Sequence, residues 1–244
     1  MSVPDQPAGL LLDQAAAAPP IALDELSLPG GLLVVVPHPD DETLGCGMAL
    51  SAAAAAGRQV FLALLTNGEG SHPGSPSVGP DALRTLRAHE FDRAVAILLD
   101  GPPAHLERLG LPDGRSHAAM LPPARLEALA DTARALGVRT VWSSWRGDPH
   151  CDHETAAHLA DAVAERLRVP LWEYAVWGRF GVPAVPARCL YRFHAPEHAE
   201  AKRRALACHA SQFTDLIADD PAAFRMPPAL LAHFRDAPEL FLRG

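Results

Sequence analysis

The chain has 244 residues, of which 48% are hydrophobic and 20% are charged, so it is long enough to bury a sizeable core as one large domain or two small ones. Lys and Arg together number 21 and Asp and Glu number 29, which gives a net charge of −8. An acidic chain without a basic run is not typical of proteins that bind nucleic-acid phosphates, so we expect no nucleic-acid partner.

The cysteines and the N-terminal segment bear on where the protein is found. The four cysteines are widely spaced and form no CxxC motif, which predicts reduced thiols rather than a disulfide framework. The N-terminal segment has no basic region followed by an apolar stretch, and the Ala-rich run at residues 48–56 is too short to cross a bilayer. We therefore expect a cytoplasmic protein with no membrane span.

The predicted elements alternate between strand and helix along most of the chain. Residues 1–30 are rich in Pro and Ala and are interpreted as an N-terminal arm, followed by a single domain over residues 31–244. Strands are predicted over 32–36, 60–65, 140–145, 169–177 and 189–193, and helices over 44–56, 82–99, 123–136, 153–167 and 197–211, before a helical and irregular tail. This order predicts a Rossmann-like, three-layer α/β domain with a mostly parallel sheet.

Two polar clusters follow predicted strands. "PHPDDE" begins at residue 37, directly after the first strand, and "PHCDH" begins at residue 149, after the strand that ends near residue 145. In open α/β sheets, ligands bind beyond the carboxyl ends of the strands. The two clusters are therefore expected to converge on one metal ion at that edge of the sheet.

The residue types in these clusters suit a catalytic metal. His38, Asp41 and His153 would supply two imidazole nitrogens and one carboxylate oxygen, a ligand set typical of catalytic zinc, although iron or another divalent metal also accepts it. Asp40 is the candidate for a non-ligand carboxylate that accepts a proton from water, because neighbouring residues on an extended segment point to opposite sides. His150 is the candidate for a protonated imidazole that stabilises an oxyanion.

Two further acidic residues in these clusters are assigned supporting roles. Glu42 and Asp152 are expected to orient a metal ligand or to cap a helix.

The sequences "PHPDDETLGCG" and "PHCDHETA" resemble the paired motifs of the PIG-L/LmbE-like family of zinc-dependent N-acetylglucosaminyl deacetylases. The stretches "LLTNGEGSH", "LWEYAVW" and "HASQ", and the spacing of Arg87 and Glu90, are also similar to that family, so the resemblance covers about residues 32–215. It implies a zinc-dependent enzyme of this family, whose substrate is a small molecule that contains an amino sugar.

The resemblance also implies roles for individual residues. His38, Asp41 and His153 would bind zinc, Asp40 would be the general base, and His150 would be the electrostatic or acid catalyst.

Two more positions are assigned to the substrate on the same grounds. Arg87 is expected to contact the sugar. Asn67 is a second candidate for substrate binding, at a position where many members of the family carry Asp.

The leading hypothesis is a zinc hydrolase that removes the N-acetyl group from an N-acetylglucosamine-containing small molecule or glycoconjugate. A related zinc amidase that acts on another N-acyl amine or on a thiol conjugate is the alternative among enzymes. A non-catalytic domain that binds carbohydrate or metal is the alternative outside enzymes, and the presence of Asp40 argues against it. The segments 67–80 and 178–187 are expected to shape the choice of substrate.

Overall fold

The structure, a computed structural model, describes residues 4–181, 186 and 189–243, and the strands within these ranges form one sheet. The strands are β1 (Gly31–Val36), β2 (Gln59–Thr66), β3 (His105–Leu111), β4 (Val138–Ser144), β5 (Leu171–Tyr174), β6 (Leu190–Phe193) and β7 (Glu239–Arg243). Their order across the sheet is β3-β2-β1-β4-β5-β7-β6. The first five strands pair in parallel, and β7 runs antiparallel to both β5 and β6. The predicted α/β fold with a mostly parallel sheet is therefore confirmed.

Helices cover both faces of the sheet. They are α1 (Leu10–Ala15), α2 (Leu23–Leu26), α3 (Asp41–Ala55), α4 (Pro80–Leu99), α5 (Pro123–Ala135), α6 (Cys151–Leu167), α7 (Ala199–Leu206), α8 (Ala210–Phe213) and α9 (Pro228–Asp236). One hydrophobic core lies between the sheet and α3, α4, α7 and α9, and a second lies between the sheet and α5 and α6. The domain thus has three layers.

Strand β1 shows why its sequence is apolar at every position. Leu32, Val34 and Val36 contribute to one core, whereas Leu33 and Val35 contribute to the other, and all five side chains are fully buried. Successive side chains of a strand point to opposite faces, so a strand that is covered on both faces needs a continuous apolar run.

The C-terminal tail differs from the prediction. After α9, the last described residues form β7, which lies between β5 and β6 instead of remaining irregular. The assignment depends on pairing with partners that are distant in sequence, such as Trp172 with Arg243, and no local pattern reveals that pairing.

Two other elements depart from the predictions for similar reasons. Strand β3 is absent from the predicted elements because only part of its sequence, "HLERLGL", is apolar, as suits an edge strand. The predicted helix over 197–211 is divided into a 3₁₀ turn (Pro196–His198), α7 and α8, because the backbone of His209 leaves the helical region.

The N-terminal segment packs against the sheet. Leu11 and Leu26 are fully buried, and the backbone N–H of Ile21 donates to the carbonyl of Arg192 in β6 at 2.9 Å. The indole N–H of Trp142 in β4 donates to the carbonyl of Leu26 at 2.9 Å. Residues 4–30 therefore share their core with the sheet.

Strands β1 and β4 are neighbours in parallel, so their carboxyl ends place the two polar clusters side by side. Within the ranges the structure describes, no helix has the length and apolar character that crossing a bilayer requires.

Candidate functional site

A cavity of about 310 Å³ lies at the carboxyl ends of the parallel strands, within the usual size range of small-molecule sites. The residues that line it are His38, Asp40, Asp41, Gly70, Ser71, Pro73, Arg87, Asp113, Gly114, His150, Trp177, Gln212, Ala222 and Phe224. The lining combines charged, polar and aromatic side chains, as a site for a polar ligand with an apolar face requires.

The three predicted metal ligands meet at one carboxylate oxygen. His38 follows β1, Asp41 begins α3, and His153 lies in the first turn of α6. Oδ2 of Asp41 lies 2.9 Å from Nδ1 of His38 and 3.2 Å from Nε2 of His153. Tertiary folding therefore brings together groups that come from two distant parts of the sequence.

The donor set fits a divalent cation. Nε2 of His153 is buried and has no hydrogen-bond partner among the described residues, while Nδ1 of the same ring lies 2.8 Å from Oδ2 of Asp148. A ring that donates Nδ1–H to Asp148 directs the lone pair of Nε2 toward Asp41. One nitrogen each from His38, His150 and His153 lies within 4.8 Å of the others. Imidazole and carboxylate groups in this arrangement are typical ligands of zinc and related metals.

The neighbouring carboxylates favour the protonated forms of the imidazoles in this cluster. Burial lowers the pKa of His153, but the carboxylates of Asp41 and Asp148 outweigh burial and raise it to about 9. Burial likewise opposes protonation of His38, yet hydrogen bonds to its neighbouring carboxylates raise its pKa well above the ordinary value. Burial alone would raise the pKa of Asp41, but the two imidazoles hold it well below its usual range. Protons and a metal ion would therefore compete for the same imidazole nitrogens.

Asp152 orients His38. Its Oδ2 lies 2.9 Å from Nε2 of His38, and its carboxylate also accepts hydrogen bonds from the backbone N–H groups of Gly114 and Ser116 and from the Ser116 hydroxyl. The contact places Asp152 against one of the predicted ligands, and its role in orienting a ligand stays a prediction. The predicted capping role falls elsewhere, because the residue at the N-cap of α6 is His150.

Asp148 makes the corresponding contact to His153 and is absent from the predicted site residues. It lies directly before the "PHCDH" cluster, two residues before His150, and its side chain is completely buried. Asp148 stands between the end of β4 and the two histidines in the sequence. That position could have indicated a carboxylate partner for one of the predicted ligands.

Asp40 and Arg87 form a buried pair beside the cluster. Nη2 of Arg87 lies 3.1 Å from Oδ2 of Asp40, and Nη1 donates to the carbonyl of Gly68 at 2.8 Å. Burial raises the pKa of Asp40 to about 6, an effect that the positive charge of Arg87 restrains. A carboxylate with such a pKa is suited to accept a proton near neutral pH.

His150 lies against His38, with ring centroids 4.7 Å apart in an edge-to-face arrangement. Burial and then the neighbouring imidazoles of His38 and His153 lower the pKa of His150 to about 4. This favours a neutral ring, which differs from the protonated His150 expected from the sequence. Because Nδ1 accepts a hydrogen bond from the backbone N–H of Asp152 at 3.2 Å, the proton of the neutral ring is on Nε2, where it remains a donor.

Glu42 lies one step away from the cluster. Its side chain is fully buried, which raises its pKa to about 8, and it accepts a hydrogen bond from the Thr43 hydroxyl at 2.6 Å. Nε2 of His209 lies 3.2 Å from the same hydroxyl and 3.9 Å from Oε1 of Glu42. These contacts join Glu42 to the late "HASQ" stretch rather than to a predicted metal ligand.

The two predicted substrate contacts have different positions. Arg87 lines the cavity, whereas Asn67 is half-buried and is not among the described residues of the lining. The structure thus brings Arg87, but not Asn67, to the cavity.

The loops that were expected to shape substrate choice are described in part. In the segment 67–80, Gly70, Ser71 and Pro73 line the cavity. In the segment 178–187, residues 182–185 and 187 lie outside the described residues.

Several cavity residues have no counterpart in the predicted site. Asp113 follows β3, and its Oδ1 lies 3.3 Å from Nε2 of His38 while its Oδ2 accepts the backbone N–H of Gly70 at 2.7 Å. Trp177 and Phe224 pack edge to face with ring centroids 5.6 Å apart. Each comes from a separate loop, so only folding places them together.

A family model described as "PIG-L: GlcNAc-PI de-N-acetylase" matches residues 33–164, which is more than half of the chain. A curated relative, the 1D-myo-inositol 2-acetamido-2-deoxy-alpha-D-glucopyranoside deacetylase of Kineococcus radiotolerans, is 32% identical over 180 residues. The aligned region is 70% of this chain but 45% of that enzyme, so the chain spans less than half the length of the relative it matches.

Solved structures share the fold. A conserved protein from Thermus thermophilus is 27% identical, with a TM-score of 0.61 over 86% of this chain and 93% of its own. The N,N'-diacetylchitobiose deacetylase of Pyrococcus horikoshii, solved with an inhibitor, has a TM-score of 0.65 over 91% of this chain and 86% of its own, at 18% identity. At that identity the second likeness shows the fold alone.

Proposed function

This chain belongs to the PIG-L family, and on that premise we propose that it is a metal-dependent hydrolase that removes the acetyl group from an N-acetylglucosamine-containing small molecule. The observation that carries the proposal is the meeting of His38 Nδ1 and His153 Nε2 at one oxygen of Asp41, with Asp40 beside them in the cavity. The curated relative from Kineococcus radiotolerans, which deacetylates an inositol-linked acetamido sugar by its name, supports the substrate class.

The proposed metal ligands are His38, Asp41 and His153, with Asp152 and Asp148 holding the two imidazoles through their other nitrogens. Zinc is the proposed metal, and iron is the alternative because it accepts the same ligand types. When bound, the cation would polarise the amide carbonyl and lower the pKa of a water molecule.

Asp40 is the proposed general base. Its Oδ2 accepts a hydrogen bond from Arg87, so Oδ1 is the oxygen left to accept the proton of the attacking water. With its pKa raised to about 6, the carboxyl is largely ionised at neutral pH and can accept a proton and then pass it on. Arg87 is proposed to position Asp40 and to keep it ionised, rather than to act on the sugar alone.

His150 is the proposed donor to the developing oxyanion. As a neutral ring with its proton on Nε2, it donates a hydrogen bond to the carbonyl oxygen without being an acid. Complete transfer of that proton would leave an imidazolate anion in a buried site. Asp40, once protonated, is therefore the better source of the proton that the leaving amine requires, and acetate and a free amino sugar are the products.

The cavity supports a sugar as the occupant. Asp113 and Gln212 offer polar groups to hydroxyls, whereas Trp177 and Phe224 offer an aromatic surface to the apolar face of a sugar ring. The mixture of the two is typical of sites that bind a monosaccharide unit.

The test is acetate release from a panel of N-acetylglucosamine conjugates, with inositol, lipid, thiol and nucleotide aglycones. We expect zinc-loaded protein to release acetate from at least one conjugate, chelated protein to release none, and readdition of zinc to restore the rate. A matched control is Asp81→Asn, which removes an exposed aspartate of α4 and should leave the rate unchanged.

Two outcomes would contradict the proposal. Full activity in protein shown to be free of metal would remove the metal from the mechanism. Absence of release from every conjugate, in protein that binds one metal per chain, would favour an amidase with another N-acyl substrate or a binding role.

A further inference from the structure

The carboxylate of Asp148 touches two parts of the candidate site at once. Its side chain is completely buried in the loop between β4 and α6. Oδ2 lies 2.8 Å from Nδ1 of His153, and the carboxylate also accepts the backbone N–H groups of three consecutive residues, Val176, Trp177 and Gly178. One buried carboxylate therefore has four donors, from an α-helix and from the turn after β5.

The contact with His153 sets the direction of that ring. In the neutral ring that metal binding requires, donation of Nδ1–H to Asp148 fixes the tautomer, so the lone pair of Nε2 is directed at the point where Asp41 and His38 meet. Nε2 has no hydrogen-bond partner among the described residues, which leaves it available as a ligand.

The contacts with the turn set the position of Trp177. Distances from the carboxylate oxygens to the three backbone nitrogens are 3.1 Å for Val176, 3.3 Å for Trp177 and 2.5 Å for Gly178. Successive N–H groups directed at one anion form a compact anion-binding turn. The indole of Trp177 lines the cavity and packs against Phe224, so the turn holds part of the cavity wall.

Gly178 allows this close approach. A Cβ atom at this position would collide with Oδ1 of Asp148 and with ring atoms of Trp145. A larger residue would therefore push the Asp148 carboxylate away from the turn. The same displacement would disturb the contact between that carboxylate and His153.

We propose that Asp148 is a positioning residue that couples the metal ligand His153 to the cavity wall at Trp177. This rests on the proposed function. A change at either end of the coupling should be felt at the other: loss of the carboxylate should weaken metal binding and move Trp177, and displacement of the turn should weaken metal binding without altering any ligand.

The experiment uses the full chain and zinc alone as the probe. In Asp148→Asn, the amide retains one acceptor oxygen but gains an NH₂ group that cannot accept from His153 or from the turn. We expect the zinc dissociation constant to rise roughly 10- to 100-fold, as for loss of other carboxylate partners of ligand histidines. We also expect altered fluorescence of Trp177, measured as the difference between each protein and the same protein with Trp177→Phe.

A second variant keeps the coupling testable if Asp148→Asn does not fold. Gly178→Ala should raise the zinc dissociation constant in the same direction, although residue 178 contacts none of the proposed ligands. The matched control is Asp220→Asn, which alters another buried aspartate that accepts a backbone N–H, that of Gly74, but that has no contact with a ligand histidine. Its zinc affinity should be that of the parent.

Three results would overturn the coupling: unchanged zinc affinity in folded Asp148→Asn, an unchanged Trp177 signal in that variant, or a Gly178→Ala protein in which only the Trp177 signal moves. Kinetics supply a further readout, because a displaced wall should raise KM while a loosened ligand should lower kcat. If no conjugate is deacetylated, the proposed function fails, but zinc affinity and Trp177 fluorescence still decide the role of Asp148.

Discussion

Nζ of Lys202 lies 2.7 Å from Oε1 of Glu239, and both side chains are buried. The pair fills a break in α3 at Cys46, whose φ of −143° and ψ of 24° interrupt the helix. It supplies partners for three backbone groups that the break leaves free, the carbonyl of Leu44 and the N–H groups of Met48 and Ala49. An ion pair from α7 and β7 therefore supports the helix whose first turn belongs to the candidate site.

Removal of one charge from this pair should be costly. We expect Lys202→Met to lower the free energy of unfolding by about 3–5 kcal/mol, because Glu239 would remain buried without its partner. Urea denaturation measures the change. In the control Arg203→Met, the lost pair with Glu200 is on the surface and should contribute less than about 1 kcal/mol. An equal loss of unfolding free energy in both variants would mean that the buried Lys202 pair contributes no more to stability than the surface pair.

Asp40→Asn should abolish proton transfer while leaving the metal ligands in place. We expect kcat to fall by about 10²- to 10⁴-fold, since an amide cannot act as the base. Metal analysis of the same sample should still give the stoichiometry of the parent, because Asp40 is not a proposed ligand. Retention of the parental kcat in metal-loaded Asp40→Asn would refute its role as base.

Arg87→Met should move the acidic limb of the pH–rate profile. Burial raises the pKa of Asp40 to about 6 and the charge of Arg87 opposes that rise, so loss of the charge should raise this pKa further. The base form would then be lost at a higher pH, and the limb measured from kcat/KM should shift upward. Arg84→Met, an exposed position one turn earlier in α4, is the control and should leave the limb in place. A downward shift in Arg87→Met would contradict the assignment.

His209 should make the protein sensitive to acid. Burial, with a smaller contribution from Arg87, lowers the pKa of His209 from 6.5 to about 3. Between pH 3 and pH 6.5, His209 is protonated in the unfolded chain but neutral in the folded protein. The stability that depends on a neutral His209 is therefore complete above pH 6.5 and is lost as the pH falls toward 3.

The measurement is the free energy of unfolding from urea titrations across that pH range. We expect His209→Gln to show a smaller decline than the parent, and His89→Gln, at an exposed position of α4, to follow the parent. Identical pH slopes for His209→Gln and the parent would show that the buried ring is not responsible.

Metal removal should destabilise the protein, because a ligand that binds only the folded state adds to its stability. At free zinc of about 1,000 times the dissociation constant the gain is about 4 kcal/mol, and chelation should remove it. The readout is the unfolding midpoint with and without chelator. In Asp41→Asn the midpoint should no longer respond to zinc, and a full response in that variant would exclude Asp41 as a ligand.

Local patterns in the sequence were sufficient to predict much of the fold and the convergence of His38 and His153 near Asp41. The continuous apolar run of β1 predicts a strand covered on both faces, because each of its faces packs on a separate core. The position of His38 and His153 just beyond β1 and β4 predicts their convergence, because parallel strands deliver their carboxyl ends to one edge. These inferences need only residue periodicity and the general rules of parallel sheets.

Tertiary structure alone decided the rest, since the deciding interactions join residues that are distant in sequence. Strand β7 is a strand because β5 and β6 lie on either side of it. His150 favours the neutral form because it is buried beside the imidazoles of His38 and His153. Asp148 contacts both His153 and the turn at Trp177 only because folding brings them to its carboxylate. Pairing, pKa and orientation depend on what other segments bring to a residue, and that information is not contained in the pattern around the residue itself.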